Sequence, residues 1–348
     1  MSNISSQDAR NLMTKELASV YKEKNTPTAF LRSFFPSVEK GSKEISIEVE
    51  RGKELVAVDV VRGTEGNRNT WSRTMEKIFV PPYFREYFDA TDLDAYDKMF
   101  GQGEISYNNF GSFINSASEK LVQLTEKIER SYELQCAQVF ETGIVTINKG
   151  TNIDFKRKAA SLVDLSGTPW TAANDPFAQI EAGCAFLRTK GKMQGNMVNM
   201  LLGSEAITAL FNNADFKEQA NSRRMDHVSI RMPQKESVGA TSHGVISCGD
   251  YLVAIWSYPE YYDTESSANN SYLNTKKMVL MPEKTKFQLT FAAVPQLIDG
   301  GGVNTTAGAY RFGDYRDMRN HTHIFDVRSA GIAIPVAVDQ IYTAQVVA

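Results

Sequence analysis

Cysteine, tryptophan and histidine are scarce in this 348-residue chain, with three, three and four copies. Cys136, Cys184 and Cys248 stand far apart. That excludes a disulfide framework and a CxxC metal clamp, and the three read as reduced core thiols of a cytoplasmic protein. The histidines form no HExxH pattern. Long hydrophobic runs are missing as well. The longest candidate, Ala330 to Val338, is interrupted by Pro335 and falls short of the about 18 apolar residues a membrane helix needs. The opening Met1-Ser2-Asn3-Ile4-Ser5 has neither the basic nor the apolar region of a secretory signal. Nor does charge of one sign prevail: 38 basic against 41 acidic side chains give a net charge of -3. That excludes a strongly basic nucleic-acid binder. Catalytic chemistry is thinly supplied, and the sequence assigns no catalytic, cofactor-binding or metal-ligating residue.

What is present is an ordinary globular composition. The apolar fraction of 42% excludes wholesale disorder, and the length suits about two domains of about 150 residues. The first 40 residues read as an arm. Ser6 to Lys24 carries Ala9, Leu12, Met13, Leu17, Val20 and Tyr21 at helical spacing, and Pro27 stops that helix at Thr26. The cluster Phe30-Leu31-Arg32-Ser33-Phe34-Phe35 then needs a surface, either the chain's own core or a neighbouring subunit. Residues 44 to 80 alternate like a β-ribbon: Ile45, Ile47 and Val49 against Glu44, Glu48 and Glu50. A second run spans Leu55 to Val61, residues 62 to 69 form a polar tip, and Trp71 to Val80 returns. Such a ribbon has too few apolar residues for its own core.

Asp89, Asp92, Asp94 and Asp97 invite a metal reading but lack the spacing of a calcium loop. Thr91 as a helix cap, with Asp92 and Asp94 in the first turn, accounts for them better. The clearest helix is Ser116 to Thr142, opened by the capping box Ser116-x-x-Glu119 and stopped at Gly143. Leu121, Leu124, Ile128, Tyr132, Gln135 and Val139 form its inner stripe. Lys120, Glu126, Lys127, Glu129, Arg130 and Glu133 fill the solvated remainder. At about 1.5 Å per residue it is a spine of about 40 Å. Residues 166 to 170 mark a domain crossing.

Beyond it, helix and strand alternate. Asp175-Pro176 opens a helix with the inner stripe Phe177, Ile180, Cys184 and Leu187. Val198 to Leu202 is a strand, Ser204 caps a further helix, and a polar helix covers Asp215 to Arg224. Strands at Gly244 to Ser247 and Tyr251 to Tyr258 flank the turn Cys248-Gly249-Asp250. Lys277 to Met281 and Lys286 to Ala293 are also strands. Asp299 to Gly302 and Thr305 to Asp314 read as a glycine-rich loop, with no P-loop signature. The tail returns to strand at Thr322 to Val327, Gly331 to Val338 and Ile341 to Val347, with Pro335 marking an edge or bulge.

The order of arm, ribbon, spine helix, α/β region and closing strands resembles the major capsid proteins of tailed bacteriophages. These share the Hong Kong 97 fold, and the lambda-type major head protein family is the most similar group. The resemblance rests on Thr28-Ala29-Phe30-Leu31-Arg32-Ser33-Phe34-Phe35, on residues Cys248 to Tyr258, and on Tyr272-Leu273-Asn274 followed by Lys277 to Met281. It continues through Val327 to Ala330 and Asp339 to Ala348. It implies an α+β capsid fold: an N-arm (1–42), an extended β-hairpin E-loop (43–80) and a P domain (81–170) containing the spine helix 116–142. An α/β A domain (171–320) and C-terminal strands returning to the P domain (321–348) complete it.

The function implied is a head protein that self-assembles, as pentamers and hexamers, into an icosahedral shell around packaged double-stranded DNA. Other expected partners are a separate scaffolding protein, since the chain starts with only a short arm, a portal and a decoration protein. Contact with DNA is expected to be weak and non-specific, and no membrane is involved. Assembly in the host cytoplasm and residence in the virion follow. Some relatives cross-link the shell through a ribbon lysine and a distant asparagine. Asn67, Asn69, Lys53 and Lys77 single out no matching set. Two rivals are a bacterial nanocompartment shell of the same fold and a metal-dependent hydrolase using the four aspartates or His321-x-His323.

Overall fold

The computed structural model describes residues 30–50, 74–91, 108–147, 152–171, 174–221, 228–235, 239–264, 266–297, 303–317, 319–320 and 322–348. The helix expected at 6–24, the run at 55–61 and the ribbon tip lie outside them. Four α-helices are described: α1 (Asn108–Glu141), α2 (Pro176–Thr189), α3 (Ser204–Asn212) and α4 (Ala214–Asn221).

The spine helix α1 is 34 residues long and begins eight positions before the expected Ser116. The Ser-x-x-Glu pattern also fits a helix interior, and Phe110, Phe113 and Ile114 carry the 3–4 spacing upstream. Its end is as expected. Gly143 takes φ +74° and its N–H donates to the Gln138 carbonyl at 3.0 Å.

A mixed seven-stranded sheet divides two apolar cores. Its strand order is Leu162–Asp164, Tyr342–Gln345, Lys277–Pro282, Met197–Leu202, Tyr251–Ser257, Thr241–Cys248 and Val228–Lys235. Strand Lys277–Pro282 shows how the division works. Successive side chains point to opposite faces, so Val279 and Met281 join the core around α1, while Met278 and Leu280 join the core under α2 and α3. Burial on both faces is why this strand reads as an unbroken apolar run.

On the far face, α2 buries Phe177, Ile180, Cys184 and Leu187, the stripe its sequence predicts. The Asp175 side chain caps it by accepting from the Phe177 N–H at 2.8 Å. Ser204 is not a cap; it is the first residue of α3. The free N–H groups of Glu205 and Ala206 instead donate to the Thr275 carbonyl at 3.0 and 2.9 Å, so no side-chain cap is needed. Helix α4 is described as far as Asn221, and the expected end at Arg224 lies outside the described residues.

Two three-stranded sheets flank α1. One orders Ser37–Glu39, Phe287–Phe291 and Gly331–Pro335, with Pro335 on an edge strand. The other, called here the outer sheet, orders Arg311–Asp317, Thr322–Ser329 and Phe84–Thr91. The stretch Thr305 to Asp314 is therefore largely strand and not the loop its glycines suggest. Strand Val303–Thr306 pairs with Val294–Leu297, and Arg311–Asp317 pairs along its whole length. Gly313 has a steric reason to be there. A Cβ at this position would come within 2.4 Å of Asp326 Oδ1.

No helix among the described residues is long and apolar enough to cross a membrane. All three cysteines are buried and unbridged, and burial pushes the Cys184 and Cys248 thiols up to about 12.

Candidate assembly surface

Of the two surfaces open to the Phe30–Phe35 cluster, the structure uses the chain's own core. Leu31–Phe34 forms a 3-10 turn against α1. Phe35 lies 5.1 Å from Phe287 and 5.3 Å from Phe140, while Phe30 lies 5.4 Å from Trp256. Apolar packing is joined by a carboxylate clamp. Glu133 Oε1 accepts from the Leu31 N–H at 2.9 Å and the Tyr258 hydroxyl at 2.8 Å, and Oε2 accepts from the Arg32 N–H at 3.1 Å. Arg32 approaches Glu129 at 3.8 Å.

Glu133 is thus no solvated charge, as its place among the helix's charged residues suggests, but 1% exposed. Turn N–H groups need acceptors once buried, and a carboxylate supplies two oxygens for three donors. Burial pushes its carboxyl above the usual range, against the pull of those donors and of Arg32. A raised carboxyl favours the protonated form in the folded chain. Its contribution to stability is therefore full below the ordinary carboxylate range and lost as pH rises through the folded value. Wild type is expected to gain stability over Glu133→Gln as pH is lowered from 7 to 4. Urea midpoints at both pH values check this, and a difference independent of pH contradicts it.

The ribbon leaves the body just beyond this clamp. Ile45–Glu50 and Thr74–Phe79 pair antiparallel, with Ile45 opposite Phe79 and Glu48 opposite Glu76. Ile45 is fully buried and Phe79 lies 5.3 Å from Phe155, so the base is fastened to the core. In this register Ile47 stands opposite Lys77 and Val49 opposite Met75. Ser46 stands opposite Ile78 and Glu50 opposite Thr74. Ile78 is 60% exposed.

The outer sheet has two unlike faces. Its inner face packs on α1, with Phe84 against Tyr132 at 5.4 Å and Phe88 stacked on Phe325 at 5.1 Å. Its other face carries Arg311, Arg328 and Arg85 in one register row across all three strands. The next row holds Gly313, Asp326 and Tyr87, and the following one Tyr315, Ile324 and Asp89. Asp326 is fully buried beneath this face. Its Oδ2 accepts from Arg85 Nε at 2.9 Å and from Arg328 Nη2 at 2.6 Å, and Arg85 Nη2 donates to the Tyr315 hydroxyl at 2.8 Å. Tyr87 is 59% exposed and Tyr315 41%. None of these groups stands out in the sequence. The one available signal is Asp326-x-Arg328, since positions i and i+2 of a strand share a face.

The proposed metal residues are not brought together in the described part. Asp89 is exposed on the outer sheet, whose strand runs on to Thr91, while Asp92, Asp94, Asp97 and His321 lie outside the described residues. The His323 ring lies tilted beside Phe325 at 4.3 Å, with Nε2 3.6 Å from Asp314 Oδ2. Among the described residues no three His, Cys, Asp or Glu side chains form a metal-ligand group. The clustered groups fix chain segments to one another and present a surface of arginine and tyrosine.

Comparison with known structures gives that surface a context. The chain aligns with a prophage capsid protein of Escherichia coli CFT073 at TM-score 0.63 and 13% identity, covering 96% of this chain and 99% of that one. The capsid of cyanophage A-1(L) aligns at 0.53 and 11% identity, covering 90% and 91%. A phage-related protein of Bordetella bronchiseptica RB50 aligns at 0.52 and 11%, covering 95% and 96%. At such identities these likenesses establish the fold, which is that of Hong Kong 97-type capsid proteins. No curated protein matches in sequence. The profile of one family, described as phage major capsid protein E, matches residues 14–345. With nearly its whole length so matched, the chain belongs to that family of phage capsid proteins.

Proposed function

We propose that copies of this chain tile as pentamers and hexamers into a closed icosahedral head around packaged double-stranded DNA. The observation that carries the reading is the extent of the family match, which takes in the ribbon and the closing strands as well as the cores. Physical reasoning supports it. A two-stranded ribbon has no core of its own and gains about 25 cal/mol for each Å² of apolar surface it buries on a neighbour, and closed symmetry repeats that gain in every copy.

In this reading residues 1–42 are the N-arm, 43–80 the E-loop, 81–170 with 321–348 the P domain, and 171–320 the A domain. The two cores on either side of the seven-stranded sheet support a body of two parts. Tyr342–Gln345 lies within the dividing sheet itself. The role is structural and not enzymatic. A separate scaffolding protein, a portal and a decoration protein complete the expected partners. The near-zero net charge supports weak, salt-sensitive contact with the genome, with assembly in the host cytoplasm before release in the virion.

Electron microscopy of the purified chain, expressed alone and with its phage scaffold, is expected to show closed particles of uniform diameter. A chain that stays monomeric in both preparations overturns the proposal. Particles that enclose an enzyme in place of DNA favour a nanocompartment shell.

A further inference from the structure

We infer that residues 6–24 cover the open end of the seven-stranded sheet in their own copy of the chain, on the face turned toward α1. The inference goes beyond the shell reading and does not depend on it.

The two faces of this sheet are covered unequally. Val198, Met200 and Leu202 of one strand, with Val253 and Ile255 of the next, belong to the core under α2 and α3. Alternation turns Met197, Asn199 and Leu201 to the other face, with Leu252, Ala254 and Trp256 beside them. Register sets that face out in rows. Trp256 stands opposite Leu201 and Leu201 opposite Val279, and this row belongs to the core around α1. The next row holds Val245, Ala254 and Asn199, and the last Ser247, Leu252 and Met197. Among the described residues, Val245, Ala254, Leu252 and Met197 join neither core. Leu252 is 48% exposed and Met197 37%. Yet Met197–Leu202 and Tyr251–Ser257 pair in parallel, and parallel strands are ordinarily buried on both faces.

The point where the chain enters the body names the occupant. Phe30, the first residue the structure describes, packs on Trp256 with ring centres 5.4 Å apart. It therefore stands on the last covered row, and the Glu133 clamp fixes Leu31 and Arg32 just behind it. The chain that precedes Phe30 starts at the border of the open rows. Leu252 lies four residues along the strand from Trp256, about 13 Å away. Residues 25–29 can span up to about 17 Å, enough to bring residue 24 to Leu252. The sequence before that linker carries Ala9, Leu12, Met13, Leu17, Val20 and Tyr21 at helical spacing. An apolar helical stripe and an apolar sheet face each need such a partner. The short tether gives this segment a high effective concentration at the open rows, ahead of any other copy.

Thiol labelling of full-length protein in dilute solution, before particles form, tests this. The native cysteines are all buried, so a maleimide reports on an introduced thiol. Leu252→Cys leaves both cores intact, and its thiol should lie under the segment. Adding Leu12→Asp/Leu17→Asp should raise its labelling rate by about tenfold or more, because the cover then opens. The same pair of aspartates should leave the rate of Tyr261→Cys unchanged, a 53% exposed position on a separate strand pair. The protection of Leu252→Cys should also be independent of protein concentration. Equal labelling of Leu252→Cys with and without the aspartates overturns the docking. Protection that fades on dilution, or arises only in assembled particles, assigns the cover to another copy and overturns it as well. None of these outcomes bears on the shell reading, which stands or falls on particle formation by the wild-type chain.

Discussion

Ile128→Asp is expected to leave the chain without a stable folded state. Ile128 is 1% exposed on α1, in the core that also holds Tyr132, Phe325 and Ile332. Losing a buried isoleucine costs about 2–5 kcal/mol. A carboxyl left there without a partner costs at least about 2 kcal/mol more. The sum rivals the about 5–15 kcal/mol that holds a typical domain together. Insoluble protein, or loss of the cooperative unfolding transition, is the expected result. Leu124→Asp looks equivalent from the sequence, where both positions lie on the inner stripe, but Leu124 is only half-buried. Its carboxylate can reach water, so a smaller loss with a soluble, folded chain is expected. Equal damage from the two substitutions contradicts this placement of the helix.

Arg157→Ala is expected to destabilise the chain by about 3–5 kcal/mol, because it strands several buried acceptors at once. Its guanidinium donates to the Phe140 carbonyl at 2.8 Å, the Ser161 carbonyl at 3.1 Å, and the Ile341 carbonyl and Thr343 Oγ1 at 3.0 Å. One side chain thereby ties the end of α1 to the turn at Ala159–Ser161 and to the closing strand. A cation also suits the carbonyl end of a helix. Burial pushes the guanidinium down to about 10, which leaves it charged at neutral pH.

Arg157→Lys should recover only a small part of the loss, since an ammonium cannot fork across these positions. Gly143 supplies a second test. It holds φ +74°, and a Cβ there would come within 2.4 Å of Arg157 Cδ. Gly143→Ala should therefore cost less in the Arg157→Ala background than in wild type. Urea unfolding of the four chains measures the coupling, and strictly additive losses contradict it.

Much of the fold was legible because local chemistry and tertiary structure ask for the same residues. Helix α2 is the clearest case: its Asp cap, its proline at the first position and its inner stripe all stand as read. The paired strands around Gly249-Asp250 and the alternating ribbon base follow for the same reason. The misreadings arose where a residue answers to a distant partner. Glu133 looks solvated until the Leu31–Phe34 turn settles on it. Gly313 reads as loop punctuation until Asp326 claims the space above it. Ser204 looks like a cap until the Thr275 carbonyl takes its role.

The assembly surface divides along the same line. From its own pattern the chain determined that it has a spine helix, an amphipathic ribbon and closing strands, because periodicity and turn chemistry are properties of neighbouring residues. Only the tertiary structure decided that Arg85, Arg311 and Arg328 stand abreast, since they come from three strands whose register is set by long-range pairing. Charge in a row across a sheet is invisible along the chain. It exists only once backbone hydrogen bonds have fixed which residues face each other.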